Sequence, residues 1–202
     1  MTTSLLRLIP VAILLISILG IHGCDINVGS SSKVVTSSSV SGKFQAEKVE
    51  QLNRAAEATS IDVETRNGGI EVRQVEEAQE VTIKVALKVG GKTQEIADER
   101  LGLVKTLVEE KDGILTLRAV FPDPIYARDE AAFTVEMPKL RNARADTLNG
   151  DVTVHAASGD TRVSTQNGTI RIKDAGKSVK AKSVNGSVKI AMLATTLQSV
   201  RS

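Results

Sequence analysis

Three groups of side chains could do chemistry in this chain of 202 residues: one cysteine, one short histidine-containing run, and basic residues at repeating positions. His155, Ser158 and Asp160 supply the residue types of a base, a nucleophile and an acid. Such a triad is defined by spatial geometry and an oxyanion site, and Ser and Asp beside Gly159 are what a turn requires. The run is therefore read as a turn, and no catalytic residue is expected. Asp151 and Asp160 share a nine-residue phase that would suit calcium, but Thr169, Ser178 and Ser187 follow in the same column. The ligand column breaks, so no metal site and no cofactor are expected. Two histidines, His22 and His155, are too few for a His-based metal centre. A single cysteine excludes an intramolecular disulfide framework and a Cys-rich zinc site.

The basic residues form columns. Arg144, Arg162 and Lys180 recur at one repeat position, Arg171 and Lys189 at another, and Lys173 follows His155 at a third. Net charge is −4 over residues 43–143 and +5 over residues 144–202. A stacked basic stripe would attract an anionic partner, an acidic envelope glycan or lipid headgroups. The plainer reading, which ranks first, is a solvated face whose charges keep the protein soluble.

Cys24 has a context of its own. Arg7 makes a short positive region, and residues 8–21 (LIPVAILLISILGI) are apolar throughout. That run falls short of the roughly 20 residues of a membrane-spanning helix and has the length of a signal-peptide core. Its end resembles the signal of bacterial lipoproteins, with a branched aliphatic, a small residue and then cysteine: Ile21, Gly23 and Cys24. His22 departs from the small or hydroxyl residue usual between them. The resemblance implies a signal peptide over residues 1–23, lipidation of Cys24 and a membrane anchor. Asp25 would favour the periplasmic face of the inner membrane. An uncleaved signal anchor, with Cys24 a bystander thiol, is the alternative. Residues 24–43 hold seven serines between Ser30 and Ser41 and read as a flexible tether.

The elements that would position everything else come from an internal repeat. Residues 144–161, 162–179 and 180–197 align without gaps, each 18 residues long, and residues 62–79 form a separated fourth copy. Asn-Gly recurs as Asn67-Gly68, Asn149-Gly150, Asn167-Gly168 and Asn185-Gly186, each preceded by Thr or Ser two positions before the Asn. Asn-Gly tolerates positive φ at both positions and predicts a tight turn. After it, Val152 and Val154, Ile170 and Ile172, and Val188 and Ile190 face one way, while Thr153, Arg171 and Lys189 face the other. Period two is the mark of a half-buried strand. Identical turns at a fixed period predict an all-β fold: a parallel β-solenoid, or β-helix-like body, whose coils stack at about 4.8 Å. The asparagines would then form an amide ladder, or simply serve the turn. Between the first copy and the rest, alternation predicts a strand over residues 81–89 and Thr93 caps a short helix to about Gly102. A hairpin follows around Lys111-Asp112-Gly113, then a strand over residues 132–137 stopped by Pro138.

Across residues 58–195 this pattern resembles the bacterial putative-adhesin family, a domain of unknown function built of Asn-Gly β-solenoid coils. The resemblance carries the early Asn-Gly coil, the strand ending in Met137-Pro138 and the later run of coils, and it marks residues 44–202 as the domain. It implies a non-catalytic, exported, lipid-anchored envelope protein with an adhesin-like binding or scaffolding surface. A regulatory component that senses envelope stress through a protein partner is the second reading. A polysaccharide-active enzyme ranks last, because tight coils lack the long loops that line such grooves. Nucleic acid is excluded by the formal charge of +2 and by only 2% aromatics, Phe44, Phe121, Tyr126 and Phe133.

Overall fold

Period-two alternation collects the apolar side chains of the repeats on one face of each strand, and two such faces close on a shared core. The computed structural model describes residues 29–31 and 44–193. The elements begin with β1 (Gly29–Ser31), β2 (Phe44–Ala55), β3 (Ser60–Asn67), β4 (Ile70–Gln74), β5 (Glu80–Gly91) and α1 (Gln94–Leu103). Then come β6 (Lys105–Lys111), β7 (Ile114–Val120), β8 (Glu130–Met137), β9 (Asn142–Asn149) and β10 (Val152–His155). The last four strands are β11 (Thr161–Asn167), β12 (Ile170–Ala175), β13 (Val179–Asn185) and β14 (Val188–Met192). The signal segment and Cys24 lie outside the described residues, as does most of the tether. Within that tether, β1 pairs antiparallel with β2, Gly29 opposite Gln51.

One sheet has the order β1-β2-β5-β8-β4-β10-β12-β14 and the other the order β13-β11-β9-β3-β7-β6. The body is thus mostly β, in two mixed sheets rather than the wholly parallel sheets expected. The repeat copies do pair in parallel at the 18-residue offset. Ala145, Val163 and Ala181 are cross-strand neighbours in one sheet, and Val152, Ile170 and Val188 in the other. The early copy, β3–β4, sits between β7–β8 and β9–β10, so Asn67 lies beside Asn149. Antiparallel pairing enters through the residues before the first copy and between it and the later ones. Asp112 and Gly113, with φ of 53° and 72°, form the two-residue turn that obliges β6 and β7 to run antiparallel. In the other sheet β2, β5 and β8 pair antiparallel over one end of the stack. Helix α1 packs on β2 and β5, its start fixed by the Thr93 hydroxyl, which accepts from the Ile96 N–H at 3.2 Å.

Val63, Ala145 and Val163 from one sheet and Val72, Val154 and Ile172 from the other all belong to the buried core. Burying each large aliphatic side chain contributes about 1.5–3 kcal/mol. The last coil is different. Val188 and Ile190 occupy the same inward columns as Val152 and Val154, which are 0% exposed, yet stand 42% and 47% exposed. Among the described residues no helix is long and apolar enough to cross a membrane.

Candidate functional site

Each Asn-Gly pair makes the first corner of a coil, and its residues serve stacking rather than turning. The expected turn with positive φ at both positions does not form. Each Asn ends its strand, and of the four glycines only Gly68 has positive φ, at 126°. Close approach demands the other glycines. A Cβ on Gly150 would collide with the carbonyl oxygen of Gly68, one on Gly168 with that of Gly150, and one on Gly186 with that of Gly168. The asparagines form a continuous ladder. Asn149 Nδ2 donates to Asn67 Oδ1 at 2.7 Å, Asn167 to Asn149 at 2.6 Å, and Asn185 to Asn167 at 2.8 Å. Asn67 Nδ2 ends the ladder on the backbone oxygen of Asp129, at 2.8 Å. The hydroxyl two positions earlier stitches the coils as well: Thr147, Thr165 and Ser183 donate to the carbonyls of Gly68, Gly150 and Gly168.

The second corner holds a cationic recess that the repeat reading did not single out. Arg141, Gly159 and Lys177 stand 18 residues apart at this corner, where the Gly159 N–H donates to the Arg141 carbonyl. Close packing demands the glycine, since a Cβ on Gly159 would collide with Asn142 Oδ1 and with the Arg141 carbonyl oxygen. The Arg141 stem packs against the same point, its Cγ 3.2 Å from where that Cβ would sit. Lys139, Gln74, Thr59 and Ser158 complete a recess of about 500 Å³ that no acidic residue lines. Sequence spacing could have flagged Arg141 and Lys177, since each lies one 18-residue step from Gly159.

The basic columns read from the repeat are divided between the two sheets. Arg144, Arg162 and Lys180 are neighbours on β9, β11 and β13, in the six-stranded sheet. Arg171, Lys173 and Lys189 lie on β12 and β14, in the other sheet. Two of them are also engaged. Arg144 donates to Asp146 at 2.8 Å and lies 3.9 Å from Asp62, contacts that raise its guanidinium above the ordinary value. Arg171 donates to Asp151 at 2.9 Å. That carboxylate is held below its ordinary value, first by the Thr169 N–H and then by Arg171.

Nothing in the geometry assembles a catalytic set from the histidine run. His155 Nε2 lies 2.9 Å from Asp174 Oδ2, in the neighbouring coil. The Ser158 hydroxyl donates to the Leu140 carbonyl, and the Asp160 N–H donates to Asn142 Oδ1. Among the described residues no group of three or more His, Cys, Asp or Glu could hold a metal ion.

The chain is similar to several solved structures. One is a putative cell adhesion protein from Clostridium sporogenes, at 9% identity over 82% of this chain and 99% of that one, with a TM-score of 0.43. A putative lipid binding protein from Parabacteroides distasonis matches at 9% identity over 75% of this chain and 63% of that one, with a TM-score of 0.36. A putative adhesin from Bacteroides fragilis matches at 15% identity over 77% and 98%, with a TM-score of 0.30. No protein-family model and no curated protein matches the sequence.

Proposed function

We propose that this is a non-catalytic, lipid-anchored protein of the bacterial cell envelope, whose β-solenoid coils present a binding surface for anionic envelope groups. The anchor reading rests on the sequence around Cys24. The observation that carries the binding reading is the recess at the second corner. Lys139, Arg141 and Lys177 line one recess that has no acidic residue in its lining, and its volume of about 500 Å³ leaves room for a ligand beside them. Unneutralised cations at a concave surface concentrate counter-ions, and acidic glycan is the ligand class that suits an exported surface.

Two measurements test this. Metabolic labelling with a palmitate analogue is expected to mark the wild-type chain and to disappear with Cys24→Ala. Replacing Lys139, Arg141 and Lys177 by Gln is expected to abolish heparin retention at physiological salt. Replacing the acid-paired Arg144 and Arg171 leaves retention nearly intact. Retention unchanged by the triple replacement overturns the binding reading, and binding to anionic liposomes but not to heparin reassigns it to lipid.

A further inference from the structure

We propose that the inner Asn-Gly steps, Asn67-Gly68, Asn149-Gly150 and Asn167-Gly168, are deamidation sites that the stack of coils holds shut. Each step is held by the neighbouring coil, so one such event loosens the step beside it. This goes beyond the anionic-group reading and rests on neither the anchor nor the recess.

Stacking itself requires the reactive dipeptide. Asn is needed for the amide ladder, and Gly because a Cβ would collide with backbone of the neighbouring coil. Asn followed by Gly is also the pair in which the next backbone nitrogen reaches the side-chain carbonyl carbon with least hindrance, since glycine has no Cβ. In the reaction a bond forms between the Gly nitrogen and Asn Cγ as the Cγ–Nδ2 bond breaks. Nδ2 leaves as ammonia, carrying the proton that the Gly nitrogen gives up. Water then opens the cyclic imide at either carbonyl and leaves aspartate or its β-linked isomer. Water is the sole co-reactant, and nothing is oxidised or reduced.

Exclusion of water does not hold this reaction back, because the Asn149 and Asn167 side chains are exposed. Hydrogen bonds hold the groups that must move. The attacking nitrogens are engaged: the N–H of Gly68 donates to the Asn149 carbonyl at 2.8 Å, that of Gly150 to the Asn167 carbonyl at 3.0 Å, and that of Gly168 to the Asn185 carbonyl at 3.2 Å. The glycine carbonyls are engaged by the hydroxyls of Thr147, Thr165 and Ser183. The leaving amides donate too, Asn67 to the Asp129 carbonyl, Asn149 to Asn67 and Asn167 to Asn149. Each asparagine ends a strand, and its Cγ must swing off the ladder to meet the following nitrogen. Ring closure therefore needs a coil to part from its neighbour. The native rate is then the rate of the open chain scaled by the open population.

The product fits poorly where it forms. At Asn149 or Asn167 a new carboxylate oxygen faces the Oδ1 to which Nδ2 had donated. The β-linked isomer adds a carbon to the backbone path at the corner and shifts the next strand against its parallel neighbours. Reaction at Asn167 thus weakens the junction that holds Asn149-Gly150, while the Gly68 N–H keeps its bond to the Asn149 carbonyl.

For the test, the full chain in detergent is held at mildly alkaline pH, native or unfolded in guanidinium, and deamidation is followed site by site by peptide mass spectrometry. In guanidinium the three steps should react well ahead of Asn53 and Asn142, which precede Arg54 and Ala143. In the native chain they should react at least about tenfold more slowly than in guanidinium, the factor that an opening cost of about 1.4 kcal/mol sets. Asn167→Asp stands in for a first event. It should speed Asn149 several-fold in the native chain and leave Asn67 nearly unchanged. Comparable rates in the native and unfolded chains overturn the proposal. So does Asn167→Asp that leaves Asn149 as slow as before, or that speeds Asn67 and Asn149 equally, since protection would then not come from the adjoining coil.

Discussion

Arg100 and Asp129 meet at 2.7 Å with both side chains almost wholly buried, one on α1 and the other at the end of the connection between β7 and β8. The guanidinium also donates to the carbonyls of Gly90 and Pro122, and it lies 4.6 Å from the centre of the Tyr126 ring. Asp129 accepts from the N–H groups of Gly90 and Tyr126. This pair replaces the Asn-Gly corner in the one coil that lacks it, and it carries the carbonyl on which Asn67 ends the amide ladder. Asp129→Ala leaves a buried cation unpaired and is expected to cost about 3–5 kcal/mol, read by urea denaturation. Replacing both partners with apolar residues should cost less than that single change, and a larger cost would contradict this account.

Two glycines are expected to respond to alanine with opposite signs. Gly168→Ala drives a methyl into the Gly150 carbonyl and should destabilise by about 1–3 kcal/mol. Gly102 lies inside α1 with nothing within 4 Å of a Cβ, so Gly102→Ala should stabilise by about 0.5–1 kcal/mol. Thermal melts of the two variants, side by side, decide the matter.

Asn167 both gives and receives in the ladder. Asn167→Ala strands an acceptor on Asn149 and a donor on Asn185, with an expected loss of about 1 kcal/mol because water reaches these amides. Asn167→Asp should lose more, since a carboxylate oxygen would face Asn149 Oδ1. Stabilities of both variants equal to that of the wild type would show that the ladder contributes nothing.

The Asp151 carboxylate titrates below its ordinary value in the folded chain, owing to the Thr169 N–H and then Arg171. A depressed folded-state pKa adds stability that is complete above the unfolded value of about 4 and fades as pH falls further. Asp151→Asn should therefore lower stability at pH 7, with the difference from the wild type shrinking as the pH falls below about 4. Denaturation curves at a series of pH values would show an unaltered acid limb if Asp151 were inert.

Strand positions, the α1 cap at Thr93 and the Asp112-Gly113 hairpin were legible because each depends on neighbours within a few residues. The columns were legible too, since a period of 18 places Arg162 beside Arg144 without knowledge of the fold. What the Asn-Gly steps are for was not. Local preference points to a turn, whereas the glycine is imposed by a carbonyl one coil away. How the basic columns are shared between the two sheets was not legible either. Residues on β11 and on β12 share a repeat unit but lie in different sheets, and a one-dimensional pattern does not record which sheet a strand joins. The Arg100–Asp129 pair joins two segments that the repeat does not relate, so no periodicity announced it.

The position of β3–β4 between β7–β8 and β9–β10 separates the order of synthesis from the order in space. That coil emerges early, but both of its neighbours are made later, β7–β8 after some 40 further residues and β9–β10 later still. Closing such loops carries an entropic cost before any contact offsets it. The early coil must therefore wait as an open-edged pair of strands, whereas β11 to β14 can each add at once to a finished template. Folding is thus expected to be slow through Met137 and fast afterwards, with the wait falling on a segment that crosses a membrane unfolded if the chain is exported.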